Sequence, residues 1–226
     1  LGSKEGLANL AMAITAPGDV MLVPNPSYPI HPYGFMIAGG TLRHLPTLHD
    51  GAFNPEEYMR SLARAVSHSV PKPVAVVVSF PSNPTAQLCD LDFYTELVNF
   101  ARKHGLWLLS DLAYAEIYFN GKPPPSILEV KGAKEVAVEF TSLSKTFSMP
   151  GWRMGFAVGN QKLIDALTRI KSYLDYGAFT PIQVAATTAL NGETECIDLI
   201  RKIYQGRRDV LIESMNRIGW RIPSPP

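Results

Sequence analysis

The 226 residues are 46% hydrophobic and 18% charged, with 21 Lys and Arg against 20 Asp and Glu for a net charge of +1. This composition fits a globular chain with ample core and excludes a disordered one, and the balanced charge leaves no footprint for nucleic acid or an anionic membrane. No apolar run approaches the ~20 residues that span a bilayer. The two cysteines, Cys89 and Cys196, lie far apart in no ligand-like spacing. They form neither a disulfide framework nor a metal site, and fit a reducing cytoplasm. The chain starts at Leu1-Gly2-Ser3 without Met and stops in Pro223-Ser224-Pro225-Pro226, as a new extended segment begins. Both ends read as interior points of a longer polypeptide.

Gly2-Ser3-Lys4-Glu5-Gly6 leads into apolar Leu7, Leu10, Ala11 and Ile14 at helical spacing, so a helix with a small-residue start is expected. Its first N–H groups form an anion site. After a turn at Ala16-Pro17-Gly18-Asp19, Val20-Met21-Leu22-Val23 reads as a short buried strand. Pro24-Asn25-Pro26-Ser27-Tyr28-Pro29 is predicted to be a stiff loop outside the sheet ladder, because proline has no N–H to give. A short helix over 33–38 stops at Gly39-Gly40, and a strand follows over 41–45. Asn54-Pro55-Glu56-Glu57 carries the N-cap, the N1 proline and the N3 acid of a helix that runs to about His68.

The β-branched run over 74–80 suits a strand covered on both faces, and it breaks at Pro81-Ser82-Asn83-Pro84. Asp90 caps a helix to about His104, which Gly105 ends. The next buried strand, 106–110, has Asp111 at its carboxyl end and Tyr114 shortly after. Lys122-Pro123-Pro124-Pro125 reads as a surface loop. Strands over 136–141 and 154–158 are separated by too little chain for a parallel crossover, so the second is predicted to run antiparallel. Helical patterns follow at about 160–175, 181–190 and 193–218, punctuated by Gly177 and Gly192. The alternation gives an α/β fold: three layers, a mostly parallel sheet with one antiparallel strand, and helices on both faces. Tyr28, Asn83, Asp111 and Lys145 all fall just past predicted strands, where such sheets bind ligands.

The stretch 141–153 carries the chemistry. Lys145 sits among small hydroxylic residues, and Arg153 follows a Pro-Gly pair. A lysine in a partly dry loop loses its proton more easily, and the free amine attacks carbonyls. Ser142, Ser144 and Arg153 supply hydroxyl donors and a planar cationic fork, which a phosphate needs. An imine-forming lysine beside a phosphate cradle suggests pyridoxal phosphate.

Gly2-Ser3-Lys4-Glu5-Gly6, Asn25-Pro26-Ser27-Tyr28-Pro29, Pro81-Ser82-Asn83-Pro84-Thr85, Asp111-Leu112-Ala113-Tyr114 and Ser142-Leu143-Ser144-Lys145 with Arg153 together resemble, in order, the class I/II aminotransferases. These are pyridoxal-phosphate enzymes of fold type I, and the resemblance covers essentially the whole chain. It implies that Lys145 forms the Schiff base with the cofactor and shuttles a proton as base and acid. It implies that Asp111 pairs with the protonated pyridine nitrogen, that Asn83 and Tyr114 hydrogen-bond the phenolic oxygen, and that Tyr28 stacks on the ring. Ser3 and Lys4, with the helix-start N–H groups, Ser142, Ser144 and Arg153, would hold the phosphate. Lys145, Asp111 and Tyr114 form the catalytic set of this reading, and no metal is involved. Of the five histidines, His31 lies near the tyrosine loop and could line the site. His68 and His104 read as helix C-terminal residues.

Within that family, the wording of 79–87 and 171–177 most resembles glutamate–pyruvate (alanine) aminotransferases. Diaminopimelate and methionine aminotransferases are similar. The resemblance implies amino-acid metabolism: transfer of an amino group between a small L-amino acid and a 2-oxo acid. It also implies a homodimer with the site near the interface, to which 176–180 contributes. Residues 1–218 would be the cofactor-binding large domain and 219–226 the start of the small one. The arginine that grips the substrate α-carboxylate in the family falls outside this chain. Two other readings remain: another reaction on this scaffold, such as a carbon–sulfur lyase, and a cofactor-sensing domain of a transcription regulator.

Overall fold

The computed structural model describes residues 1–119 and 121–223. Its strands are β1 (Val20–Asn25), β2 (Thr41–Pro46), β3 (Pro73–Ser79), β4 (Trp107–Asp111), β5 (Ala137–Ser142) and β6 (Gly155–Gly159). They form one six-stranded sheet in the order β2-β1-β3-β4-β5-β6. The first five run parallel, and β6 runs antiparallel to β5. That reversal follows from the short β5–β6 connection, whose neck is closed by Leu143 N–H donating to Met154 O at 3.2 Å.

The helices are α1 (Ser3–Ile14), α2 (Ile30–Ile37), α3 (Pro55–Ser67), α4 (Leu91–His104), a single turn α5 (Leu143–Thr146), α6 (Gln161–Leu174), α7 (Thr180–Asn191) and α8 (Glu195–Arg217). One sheet face packs Met21, Val77 and Leu109 against Leu7 and Leu10 of α1, Phe35 of α2 and Leu163 of α6. The other packs Leu22, Val76 and Leu108 against Tyr58 and Leu62 of α3 and Phe93 and Leu97 of α4. Strands buried on both faces need apolar side chains in both directions, which explains their unbroken β-branched runs.

Local chemistry sets the ends. Asn54 Oδ1 accepts from Glu57 N–H at 3.1 Å and Asp90 Oδ1 from Phe93 N–H at 2.8 Å, each a cap of about 1 kcal/mol. Gly105 ends α4 in the left-handed region at φ 69°. Two expectations change. Helix α2 begins at Ile30, because Pro29 at its N-cap already holds helical φ, −54°. Pro24 and Asn25 belong to β1 and pair with Leu45 and Pro46 of β2. Thr41 N–H donates to Asp19 O and Thr47 N–H to Asn25 O, at 2.7 and 3.0 Å. By alternation, Pro24 faces away from β2, on the side where pairing with β3 has already ended at Leu22. Its missing N–H therefore costs the ladder nothing.

From β1 the chain turns to one side to form β2 and then to the other to form β3. The carboxyl ends at such a switch point leave a crevice between diverging connections. Among the described residues, no helix is long and apolar enough to cross a membrane, and no His, Cys, Asp or Glu group could hold a metal. Of the predicted second unit, 224–226 lie outside the described residues.

Candidate active site

Lys145 sits on α5, just past β5. Ser142 caps that turn: its Oγ accepts from Ser144 N–H at 3.1 Å, and Thr146 Oγ1 donates back to Ser142 O at 3.3 Å. Ser142 Oγ also reaches Met154 O across the neck at 3.4 Å. Its hydroxyl proton is thus directed at the loop, which makes Ser142 first a builder of the lysine turn. The Lys145 Nζ lies 5.8 Å from the centre of the Tyr114 ring.

Asp111, the last residue of β4, is partly buried. Its Oδ1 accepts from Ala113 N–H at 3.2 Å, and its Oδ2 lies 2.9 Å from His31 Nε2. The His31 side chain is fully buried. Tyr28, from the loop just before α2, stands edge-on to it with ring centres 5.9 Å apart. Asn83, beyond β3, donates from Nδ2 to Tyr114 Oη at 3.2 Å. Burial pushes the Tyr114 phenol above its ordinary value; the Asn83 bond opposes this and the Asp111 carboxylate adds to it.

The opposite end is built by the start of α1. Gly2 sits at φ 81° and gives no side-chain cap, so the first N–H groups of the helix are free to bind an anion. Arg153 lies alongside, itself at φ 54°. Its Nη1 donates to Pro150 O at 2.7 Å and its Nη2 to Leu1 O at 3.4 Å. A Cβ on Gly2 would lie 2.5 Å from Arg153 Nη2, and one on Gly155 would lie 2.5 Å from Ser3 N. Only glycine lets the guanidinium and the helix start approach this closely. Lys4 Nζ lies 5.6 Å from the Tyr28 ring centre.

Ser3, Lys4, Tyr28, Asn83, Asp111, Tyr114, Ser142, Ser144, Lys145 and Arg153 line one cavity of about 260 Å³, together with Ala113 and Pro150, whereas His31, also expected to line the site, stands behind Asp111 and outside it. It presents an amine, a carboxylate with its own orienting donors, and a cradle of amides and guanidinium. That donor set fits a small bipolar molecule with a carbonyl, a basic ring nitrogen and a phosphate. Pyridoxal phosphate has those parts. A wider, largely apolar groove of about 440 Å³ adjoins it, sharing Asn83 and Tyr114 and reaching Tyr204 and Leu211 on α8.

The family profile described as aminotransferase class I and II matches residues 1–226. This chain belongs to that family. The class I and II aminotransferases use pyridoxal phosphate. Over the whole of this aminotransferase-family chain, identity is 63% to the putative aminotransferase AatC of Rhizobium meliloti, of which 55% is covered. It is 49% to the glutamate-pyruvate aminotransferase AlaC of Escherichia coli, with 53% covered, and 46% to an LL-diaminopimelate aminotransferase of Natranaerobius thermophilus, with 57% covered. The chain thus spans about half the length of these relatives. Among solved structures, the apo form of BacF from Bacillus subtilis is 35% identical and superposes with a TM-score of 0.92, over 99% of this chain and 58% of that one.

Two features of the site of this aminotransferase-family chain were hidden in the sequence. The direct His31–Asp111 contact joins residues 80 positions apart; the only local hint is that His31 follows the Tyr28 loop closely. Gly155 looks like an ordinary strand residue until Ser3 is packed on it.

Proposed function

We propose that the protein carrying this chain moves an α-amino group between an L-amino acid and a 2-oxo acid, with alanine and glutamate as donors and pyruvate and 2-oxoglutarate as acceptors. The observation that carries this reading is the shared cavity of Lys145, Asp111 and Arg153 in a chain of the aminotransferase family. The likeness to AlaC supports the alanine–glutamate pair. The likeness to LL-diaminopimelate aminotransferases supports a second reading, with diaminopimelate as donor.

Bound pyridoxal phosphate supplies an amine-accepting carbonyl and an electron-withdrawing ring. Lys145 would hold the cofactor at that carbonyl, and its amine would take the substrate α-proton and return it, as base and acid. Asp111 would pair with the protonated ring nitrogen, its carboxylate oriented by Ala113 and His31. Tyr114 stays protonated near neutral pH because burial pushes its phenol up, so it remains an O–H donor, steadied by Asn83. Arg153 and the first N–H groups of α1 hold the phosphate, with Ser3, Lys4, Ser142 and Ser144 around them. Tyr28 covers the ring face.

In this reading residues 1–218 are the cofactor-binding unit and 219–226 begin a second. The protein is a cytoplasmic homodimer. Free Cys89 and Cys196 fit a reducing compartment. Exposed Tyr173, in the last turn of α6, and Tyr176 and Phe179, between α6 and α7, offer apolar surface to a second copy.

The test uses full-length, cofactor-loaded protein. Borohydride reduction followed by intact-mass measurement should show the cofactor attached in wild type and absent from Lys145→Ala. Alanine or glutamate should shift the visible absorbance into the near ultraviolet. A shift with diaminopimelate alone selects the second reading. If no amino acid produces the shift, the transferase reading fails.

A further inference from the structure

We infer that the protein holds one buried water behind Asp111, and that Tyr58 acts through this water to set the tautomer of His31. The inference deepens the reading of Asp111 as the partner of the cofactor's ring nitrogen.

His31 Nε2 faces Asp111 Oδ2 at 2.9 Å. Its other ring nitrogen, Nδ1, is buried with no protein partner. The hydroxyl of Tyr58, on α3, is buried in the same condition. Both side chains line one small cavity of about 10 Å³ beneath Asn83, and Thr47 lines it too. That is about the room one water needs, and a buried water commonly makes about three hydrogen bonds to groups otherwise unsatisfied. Two orphaned polar atoms around one polar void are the setting in which such waters occur.

The donors and acceptors fall into one pattern. Burial pushes the Tyr58 phenol well above its ordinary value, so its hydroxyl keeps a proton to give. Thr47 Oγ1 donates to Asn25 O at 3.1 Å, which leaves its lone pairs to accept. The water accepts from Tyr58 and donates to Thr47 Oγ1 and to His31 Nδ1. With Nδ1 accepting, the proton of the neutral ring is on Nε2. The Nε2–H group then donates to Asp111. The opposite tautomer would set a bare nitrogen lone pair against a carboxylate oxygen. Asp111 thus receives Ala113 N–H on one oxygen and His31 N–H on the other, and both oxygens are held in orientation. Tyr58 is a positioning residue, three hydrogen bonds away from the carboxylate it serves, with the water and His31 between them.

The experiment uses full-length protein without cofactor, labelled with ¹⁵N at histidine, with His31 assigned through its loss in His31→Asn. Wild type should show His31 as the Nε2–H tautomer, with Nδ1 shifted as a hydrogen-bond acceptor. Tyr58→Phe keeps the ring that packs on Phe53 and Phe93, with centres 5.9 and 5.4 Å apart. It should move the Nδ1 resonance toward the unbonded position and weaken the tautomer preference. A high-resolution crystal structure should show a water within hydrogen-bonding distance of Tyr58, Thr47 and His31. An Nδ1–H tautomer, an Nδ1 resonance unchanged by Tyr58→Phe, or a cavity without water density overturns the inference. Should Tyr58→Phe not fold, the wild-type spectrum and density decide alone. These readouts need no cofactor, so their failure leaves the Lys145 attachment test standing, and the reverse holds equally.

Discussion

Glu139 shows how a single residue can matter from behind the site. It is buried on β5, opposite Ser110, the neighbour of Asp111. Its carboxyl accepts from Ser126 Oγ at 2.5 Å, Ile127 N–H at 3.1 Å and Ser110 Oγ at 3.0 Å. Burial pushes its proton affinity up, and those three bonds only partly offset this. The folded protein therefore holds the proton to higher pH than the unfolded chain does. The contribution to stability is full below the unfolded value, about 4.3, and declines as pH rises through the folded one. Glutamine cannot titrate. The stability of wild type relative to Glu139→Gln, from urea unfolding at a series of pH values, should fall as pH is raised above about 4. A difference independent of pH would show that Glu139 binds its proton equally in both states.

At the scale of elements, the junction of β6 with α1 shapes the anion cradle. A Cβ on Gly155 would meet Ser3 N at 2.5 Å and Thr141 O at 2.8 Å. Both are backbone atoms, so a strand or a helix start must shift. Gly155→Ala is expected to cost about 1–3 kcal/mol, as overpacking does, and to weaken cofactor binding as the α1 amides move. Urea unfolding reads the first effect and calorimetric titration the second; unchanged affinity would detach the cradle from this contact. The elements themselves were largely legible beforehand, because their punctuation is local: Asn54 and Asp90 cap, and Gly105 stops. Pro24 was misplaced for a physical reason. Whether proline breaks a strand depends on which side its nitrogen faces, and that is a property of the neighbouring strands. Of the candidate site, Tyr28, Asn83, Asp111 and Lys145 could be grouped beforehand because each falls at or just past a strand end. The His31–Asp111 pair was not legible, because sequence spacing carries no signal for a contact between a helix and a strand 80 positions apart.

For the whole molecule, the informative surface is apolar. Tyr173, Tyr176 and Phe179 are exposed at the α6–α7 turn, and Leu199, Val210 and Leu211 are exposed along α8. Scattered exposure is ordinary, but aromatic side chains clustered at one turn suit an interface core. Sedimentation equilibrium of the full-length protein should give a dimer, and replacing Tyr176 and Phe179 with Glu should weaken self-association by roughly tenfold or more. A monomeric wild type, or a variant that associates unchanged, would remove the homodimer from the proposal.

The packing of Gly2 and Ser3 against Arg153 and Gly155 also bears on the order in which the protein is made. Ribosomes add about 5–20 residues per second. The start of α1, proposed as the anion site, is therefore made roughly 8–30 s before Arg153 and Gly155, which pack against it, exist. During that interval α1 has no β6 to rest on and no guanidinium beside it. In the proposed reading, the phosphate cradle is therefore complete only once Arg153 and Gly155 have been added to the chain.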